Sequence, residues 1–556
     1  MADQDAALNG LPEALALGRS LLEAGLLSEH DVALAGMRGP RTWWGGRLDV
    51  EGLALGSVRL AAAALAKAAG EPGLLDSTSE RVAASFNSLA QLRVDGKAPV
   101  GFAPLSRFWP VADGWLRTHA NYPHHLSALG RALELGSDVS AQTVGAALAR
   151  LTAAEAEHRI TVAGGIASAV RSRIGWTASA AGIAAHPGGT QPLRVRLDGL
   201  DRLDRFEQVD SLELKGTDGA HGRNAGGRSS GGPGGREGFV GPGGNHGADA
   251  QDAGGHDVGG PRWQPGSAGR GDAPLAGLRV LELTRVIAGP TATRSLAALG
   301  ADVVRIDDPR RPELEEMRLD TDAGKRLLPW DLRERAEEVH ALLAQAHVCV
   351  TGFRPGAMEA FGLSDEDLAG RHPHLIRASL SAWGPGPREG ERGFDSIVQA
   401  ACGIANEYRD EHGKAGALPV QALDHATGQL LAAGIGALLA RRSQGGGGGA
   451  VSGALAHTAE ALWALPGVAT VGSAVGAVNA DGQASTGGPT TVNDPTGANG
   501  TRPLDLPAAQ RWESNGRVIE AAPAALNVRG ETAAPSSWDP WFAGAETPRW
   551  RDTSDS

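Results

Sequence analysis

Cysteine is almost missing from this chain: Cys349 and Cys402 are the only two in 556 residues. A pair so far apart in so large a chain excludes a disulfide framework and points to a reducing compartment. Cys349 reads as a core residue of a strand, and Cys402 as a small buried one. Basic excess is missing too. The formal charge of −12 and the pI near 5.8 leave no basic face for nucleic acid. No apolar run reaches the roughly 18 residues of a membrane span. The opening MADQDAALNG has two acids and neither a basic n-region nor an apolar h-region, so a cytoplasmic location is expected.

What is present is a globular mixture, 41% hydrophobic and 21% charged, long enough for two or more cores. Its 80 glycines are unevenly placed. Residues 216–271, GTDGAHGRNAGGRSSGGPGGREGFVGPGGNHGADAQDAGGHDVGGPRWQPGSAGRG, hold little to bury, and 206–273 is predicted to be a disordered linker. A coil of that kind spans on the order of 40 Å. Its His221, His246 and His256 have neither a Cys partner nor helical spacing, so no metal is expected. The run SQGGGGG at 443–449 reads as a second flexible loop. Residues 1–205 are expected to be mainly helical, with apolar residues at helical spacing over 11–27, 53–69 and 146–160. Residues 443–556 read partly as loop or disorder.

The stretch 274–309, PLAGLRVLELTRVIAGPTATRSLAALGADVVRIDDP, carries the most information. Leu278, Val280, Leu281 and Leu283 make a short strand-length run. Gly289-Pro290 breaks it, a helix over 291–299 follows, and 301–306 reads as a second buried strand. Such a turn sets free backbone N–H groups and a helix N-terminus beside an anion. It lacks G-x-G-x-x-G spacing, so the pattern alone fits any βαβ unit equally well. Asp424, in LPVQALDHATGQLLAAGIGALLARR, stands just ahead of an Ala/Leu helix, where Asp is a favoured N-cap.

Taken together these segments resemble the class III CoA-transferases, the CaiB/BaiF family. The opening stretch resembles its P-L-x-G-x-x-V-L start and L-G-A-[DE]-V strand. Lys325-Arg326 and Trp330-Asp331-Leu332-Arg333, then VCVTGFRPGAMEAFGL at 348–363, the strand and loop at 375–385, and GFDSIVQAACG at 393–403 match further family segments in order. Residues 104–126 and 153–172 resemble a distal family segment placed ahead of the family start. In addition, Leu48-Asp49 with EGLALGSVRLAAAALA echoes Leu423-Asp424 with HATGQLLAAGIGALLA.

The resemblance implies an α/β fold, with a Rossmann-like parallel-sheet CoA-binding domain at 274–442 and a helical first half. It also implies that Asp424 is the catalytic carboxylate, attacking an acyl-CoA thioester and passing CoA to a small carboxylic acid. Val286, Ile287, Ala288 and Phe353 would then hold CoA. Lys325, Arg354 and Arg392 would neutralise phosphates or a substrate carboxylate. The glycines at 445–449 were considered as oxyanion donors. The family's interlocked assembly implies a homodimer. Two positions depart from the family pattern, Gly352 in place of Asn and Ala360 in place of Arg. Alternatives on the same fold are an acyl-CoA racemase, which needs an acid/base residue where this chain has Phe394, and a non-catalytic acyl-CoA-binding protein. His425, adjacent to Asp424 on a helix, points elsewhere. The loops 384–393 and 404–419 carry no readable code for the acyl group or the acceptor.

Overall fold

The computed structural model describes residues 9–99, 101–186, 191–198, 260–265, 273–354, 356–466, 491–492, 502–503, 507, 509–514, 516–529 and 550. The chain divides into one unit of Met1–Asp198 with Asp257–Ser556 and a second of Gly199–His256, which lies outside the described residues. Of the expected linker, 260–265 and residue 273 are described. The first of these is more than loose coil. It is anchored: Trp263 is buried and its indole N–H donates to the Ala276 carbonyl at 2.9 Å. The sequence had offered that segment nothing to bury, but one indole suffices.

In chain order the elements that build the site begin with helix α1, Val50–Ala68, then strands β1, Phe108–Val111, and β2, Gly114–Thr118. Helix α2, Pro123–Ala132, and strands β3, Ala167–Ala169, and β4, Leu193–Leu197, complete the first half. Next come β5, Arg279–Leu283, α3, Ala288–Ala298, β6, Asp302–Asp307, β7, Arg326–Pro329, α4, Leu332–Leu343, and β8, Val348–Thr351. The last group is β9, Ile376–Ser381, α5, Asp395–Ala401, α6, Ala422–Ser443, β10, Gly449–Ala454, and α7, Leu455–Ala464.

The main sheet has seven strands in the order β7-β6-β5-β8-β9-β10-β4. The first six run parallel, and β4 closes the edge antiparallel to β10. Central strands covered on both faces need continuous apolar residues, and Val280, Leu281, Leu283, Val348 and Val350 are all buried. From β5 the chain proceeds outward through β6 to β7; from β8 it proceeds the other way through β9 to β10. The order therefore reverses between β5 and β8. That is the doubly wound arrangement, whose ligand crevice lies beyond the carboxyl ends of the two strands at the reversal. The expected Rossmann-like α/β core is present.

Helix α6 is buried on every side over 422–440, as an Ala/Leu helix with almost no polar face must be. Much of its cover is α1 from the first half. The two approach closely through small residues, and a Cβ on Gly436 would lie 2.8 Å from the Ala64 carbonyl carbon. The helices that echo one another in sequence thus pack against one another. The 443–556 segment is more ordered than its composition suggested: β10 lies inside the main sheet. Arg517–Ala521 pairs with Arg93–Val94, and Asn527–Val528 with Leu75–Thr78. Its residues 467–490 and 530–549 lie outside the described residues.

Candidate active site

Helix α6 begins one turn earlier than an N-cap at Asp424 would require. Its cap position is Gln421, which gives no side-chain bond, and Asp424 sits in the first turn. The free amides there are taken by another helix. Asp395, at the start of α5, accepts the Asp424 N–H at 3.0 Å and the Leu423 N–H, and also the Gln399 amide. Asp395 is the cap that Asp424 was expected to be. Among the described residues no hydrogen bond reaches the Asp424 carboxyl, which is 6% exposed. Burial and the neighbouring Asp395 charge push its pKa well above the usual carboxylate value. Burial also pushes Asp395 up, to about 6, against the pull of Gln399, the two amides and Arg117.

Helix α6 reaches the β5–α3 turn through a glycine. A Cβ on Gly428 would lie 2.4 Å from the Ala288 carbonyl oxygen, so only glycine allows this approach one turn beyond Asp424. His425 also faces α3, beside Thr291. Its ring packs against Phe86 at 5.2 Å, and its Nδ1 lies 3.5 Å from the Thr291 hydroxyl.

The turn itself is strained. Val286 has φ +70°, a left-handed conformation that β-branched residues rarely adopt. Its N–H donates to Glu313 at 2.7 Å, and Glu313 also accepts the Tyr122 hydroxyl from the first half. Ile287 caps α3, and Ala288 opens it, so Gly289-Pro290 lies inside the first helical turn and does not break the chain before it. Proline is tolerated there because that N–H has no helical partner. All three sequence-selected residues, Val286, Ile287 and Ala288, thus stand at the carboxyl end of β5, in the crevice.

Lys325 does not stand free beside them. It is 3% exposed, with Nζ 3.0 Å from Glu282 and 3.6 Å from Asp322, and it donates to the Pro290 carbonyl at 3.0 Å. Glu282 also accepts the Thr284 and Thr293 hydroxyls, at 2.6 and 2.7 Å. The charge of Lys325 balances a buried carboxylate under the turn, a partner that sequence spacing could not reveal. This corrects the expectation of a phosphate-neutralising cation.

Phe353 and Arg354 follow β8 across the crevice, both exposed; Arg354 makes only a long bond to the Gly390 carbonyl, 3.4 Å. A Cβ at Gly352 would meet Thr284 at 3.4 Å, an ordinary contact, so packing does not explain that departure. Ala360 is exposed in a short turn, Glu359–Phe361, and touches nothing that explains the departure. Arg392 donates to the Gly164 carbonyl of the first half at 2.9 Å. The 445–449 glycines lie at the far end of α6 from Asp424, about 30 Å away at 1.5 Å per residue. They serve the C-terminus of α6, where Arg441 bonds Gly447 and Gly448, and they are not oxyanion donors.

Sequence reasoning passed over three groups. Asp395 stood inside the G-F-D motif without a role, although an acid opening a helix is a capping signal. Glu313 carried no motif. The first-half segment 117–125 resembled a distal family piece, but nothing in it indicated that His119 would stack flat on Phe394, 3.8 Å between ring centres and 3° between planes. Both cysteines are buried with thiol pKa values pushed up, which makes them inert.

Comparison with known proteins agrees with this geometry. Residues 275–491 match the profile described as CoA-transferase family III. These residues are similar to CoA-transferase family III. Similar curated proteins include a probable fatty acyl-CoA transferase of Mycobacterium tuberculosis, 36% identical over 189 residues, which are 31% of this chain and 48% of that protein. A formyl-CoA:oxalate CoA-transferase of Streptomyces coelicolor is 32% identical over 197 residues, 33% of this chain and 48% of the relative. The chain spans about half the length of these relatives. Among solved structures, a CaiB/BaiF family protein from Brucella suis is 28% identical with a TM-score of 0.32, covering 35% of this chain and 56% of that one. The family III segment contains Asp424, Asp395 and the whole switch-point crevice. Among the described residues no group of three potential ligands could hold a metal ion, and no helix is long and apolar enough to cross a membrane.

Proposed function

We propose that this chain transfers CoA from an acyl-CoA thioester to a free carboxylic acid, with Asp424 as the covalent carrier. The observation that supports it best is the unbonded Asp424 carboxyl, buried one turn from the crevice, while Asp395 takes the amides that would otherwise hold it. A carboxylate used only for capping would not be left unbonded.

The chemistry balances in four steps. An Asp424 oxygen attacks the thioester carbonyl, the C–S bond breaks, and CoA thiolate leaves a mixed anhydride. The thiolate attacks the aspartyl carbonyl, the first acid departs as a carboxylate, and an aspartyl-CoA thioester remains. The incoming carboxylate attacks that carbonyl and expels thiolate, giving a second anhydride. The thiolate then attacks the new acyl carbonyl, and Asp424 is regenerated. Each return of the thiolate is effectively unimolecular while its nucleotide stays bound.

In this reading the nucleotide part lies over Val286, Ile287 and Ala288 at the switch point, between Phe353 and Arg354 on one side and the start of α3 on the other. An ionised Asp424 must form in a site that favours the neutral carboxyl, because burial and the Asp395 charge both oppose it. A racemase would need a proton carrier at Phe394, which has none. The test is a panel of acyl-CoAs and free acids, with the native chain and Asp424→Ala compared. The expectation is acid-dependent CoA exchange in the native chain and a loss of about a thousandfold or more in the variant. Exchange that survives the substitution, or α-deuterium wash-in without exchange, would defeat the proposal.

A further inference from the structure

We propose that the first half of the chain completes the site with an anion pocket formed by His119, His125, Arg285, Arg311 and Arg392, and that its ligand is the carboxylate of the acid that receives CoA. The assignment of that ligand rests on the CoA-transfer reading above.

The pocket is assembled from both halves. His119 follows β2 and His125 lies in α2, whereas Arg285 follows β5, Arg311 follows β6 and Arg392 precedes α5. Phe394 holds the imidazoles in place. His119 lies face to face on it, and His125 meets it edge-on at 5.9 Å and His119 at 5.8 Å. Phe394 is followed directly by Asp395, which accepts the Asp424 N–H, so one short segment carries both the ring under the imidazoles and the cap of the Asp424 helix.

Several polar atoms there have nothing to bond. The Nδ1 atoms of His119 and His125 are buried without a hydrogen-bond partner among the described residues, and each histidine is no more than 5% exposed. Buried polar atoms are seldom left so unless a ligand completes them. The arginines are only partly engaged. Arg285 lies over the Tyr122 ring, donates to the Pro312 carbonyl at 3.1 Å and pairs with Glu313 at 3.5 Å, while its buried Nε makes no hydrogen bond. No carboxylate among the described residues lies within ion-pair distance of Arg311 or Arg392. Burial above all, then His124, Arg392, Arg285 and Arg311, holds His125 neutral, at about 3. Two unbonded imidazole nitrogens with three arginines close enough to act on one of the rings suit an anion.

A carboxylate fits this site better than a nucleotide phosphate. The crevice at Val286 and Arg354 offers the backbone amides that suit phosphates. The pocket instead combines guanidinium forks with ring nitrogens, and forks bind carboxylates in a bidentate manner.

The test uses the full chain and direct binding of acetate, benzoate and succinate by calorimetry, with inorganic phosphate as the comparison anion. Arg311→Ala changes an exposed side chain, and His125→Phe keeps a ring against Phe394 while deleting the nitrogen. Each is expected to weaken carboxylate binding about tenfold or more. In turnover each should raise KM for the acid by a similar factor and leave KM for acyl-CoA within about twofold. No carboxylate binding, unchanged binding in both variants, or a matching loss for phosphate alone would overturn the proposal. Carboxylate binding that depends on these residues in a native chain showing no CoA exchange would keep the pocket and remove the transferase reading instead.

Discussion

Asp395 controls two properties of Asp424: it ties down the backbone that carries it, and it places a second carboxyl where both cannot easily ionise. Asp395 is raised to about 6 in the folded chain against 3.8 as the ordinary value, so the folded state binds this proton more tightly than the unfolded one. The stability it contributes is complete below pH 4 and is lost as pH rises through about 6. Activity runs the opposite way, because the nucleophile must be ionised. Turnover is therefore expected to climb as pH rises through the region of 6 and above. Asp395→Asn should shift that limb to lower pH, flatten the loss of stability between pH 4 and 6, and cost about 1 kcal/mol in capping. A pH–rate profile paired with thermal melts checks both; an unmoved limb would mean that Asp424 does not feel Asp395. Lys325 teaches the complementary lesson. Its position in the motif was legible in the sequence, but its partner Glu282 lies 43 residues away in the chain, and only the fold shows that the charge is already balanced.

Among the elements, α3 and α6 fix the distance between the nucleotide turn and the reacting carboxyl, and Gly428 sets how closely they meet. Gly428→Val would drive its Cβ into the Ala288 carbonyl, and backbone cannot yield as a side-chain tip does. The expected cost is about 2 kcal/mol in stability, with a raised KM for acyl-CoA as the turn is pushed aside. Denaturant unfolding and initial rates measure the two effects; a variant with normal stability and kinetics would show that the contact is slack. The strands β5 and β6 were readable from short stretches rich in apolar residues, and β8 and β9 from their family-like segments. The start of α6 was not. Its cap comes from α5, and no local pattern records a bond between helices 29 residues apart in sequence.

The whole molecule depends on its first half more than a helical attachment would. Strand β4 closes the main sheet, α1 covers α6, and Arg377 in β9 pairs with Asp198 at 2.8 Å. A chain beginning at residue 274 would bare the small-residue face of α6 and the β10 edge, inviting aggregation. It is expected to be insoluble alone and to be rescued by co-expression with residues 1–205, as read by soluble yield and CoA exchange. A well-folded, active 274–556 fragment would contradict this. The family resemblance rests on segments of the second half, which supply six of the seven strands of the main sheet. The order of segments suggested only that the first half came from similar material, because register between distant helices and strands leaves no trace in composition.

The left-handed Val286 gives the molecule an additional property. Its backbone would be more comfortable by about 1 to 2 kcal/mol on the other side of φ = 0. Glu313 holds it where it is, and Glu313 is itself held by the hydroxyl of Tyr122. The turn that faces the nucleotide is thus a cocked latch whose catch belongs to the first half of the chain. Tyr122 and Val286 thus share one buried carboxylate, which the Leu314 amide, Arg285 and Arg305 also hold, so the shape of the turn depends on a residue of the first half as well as on its own neighbours.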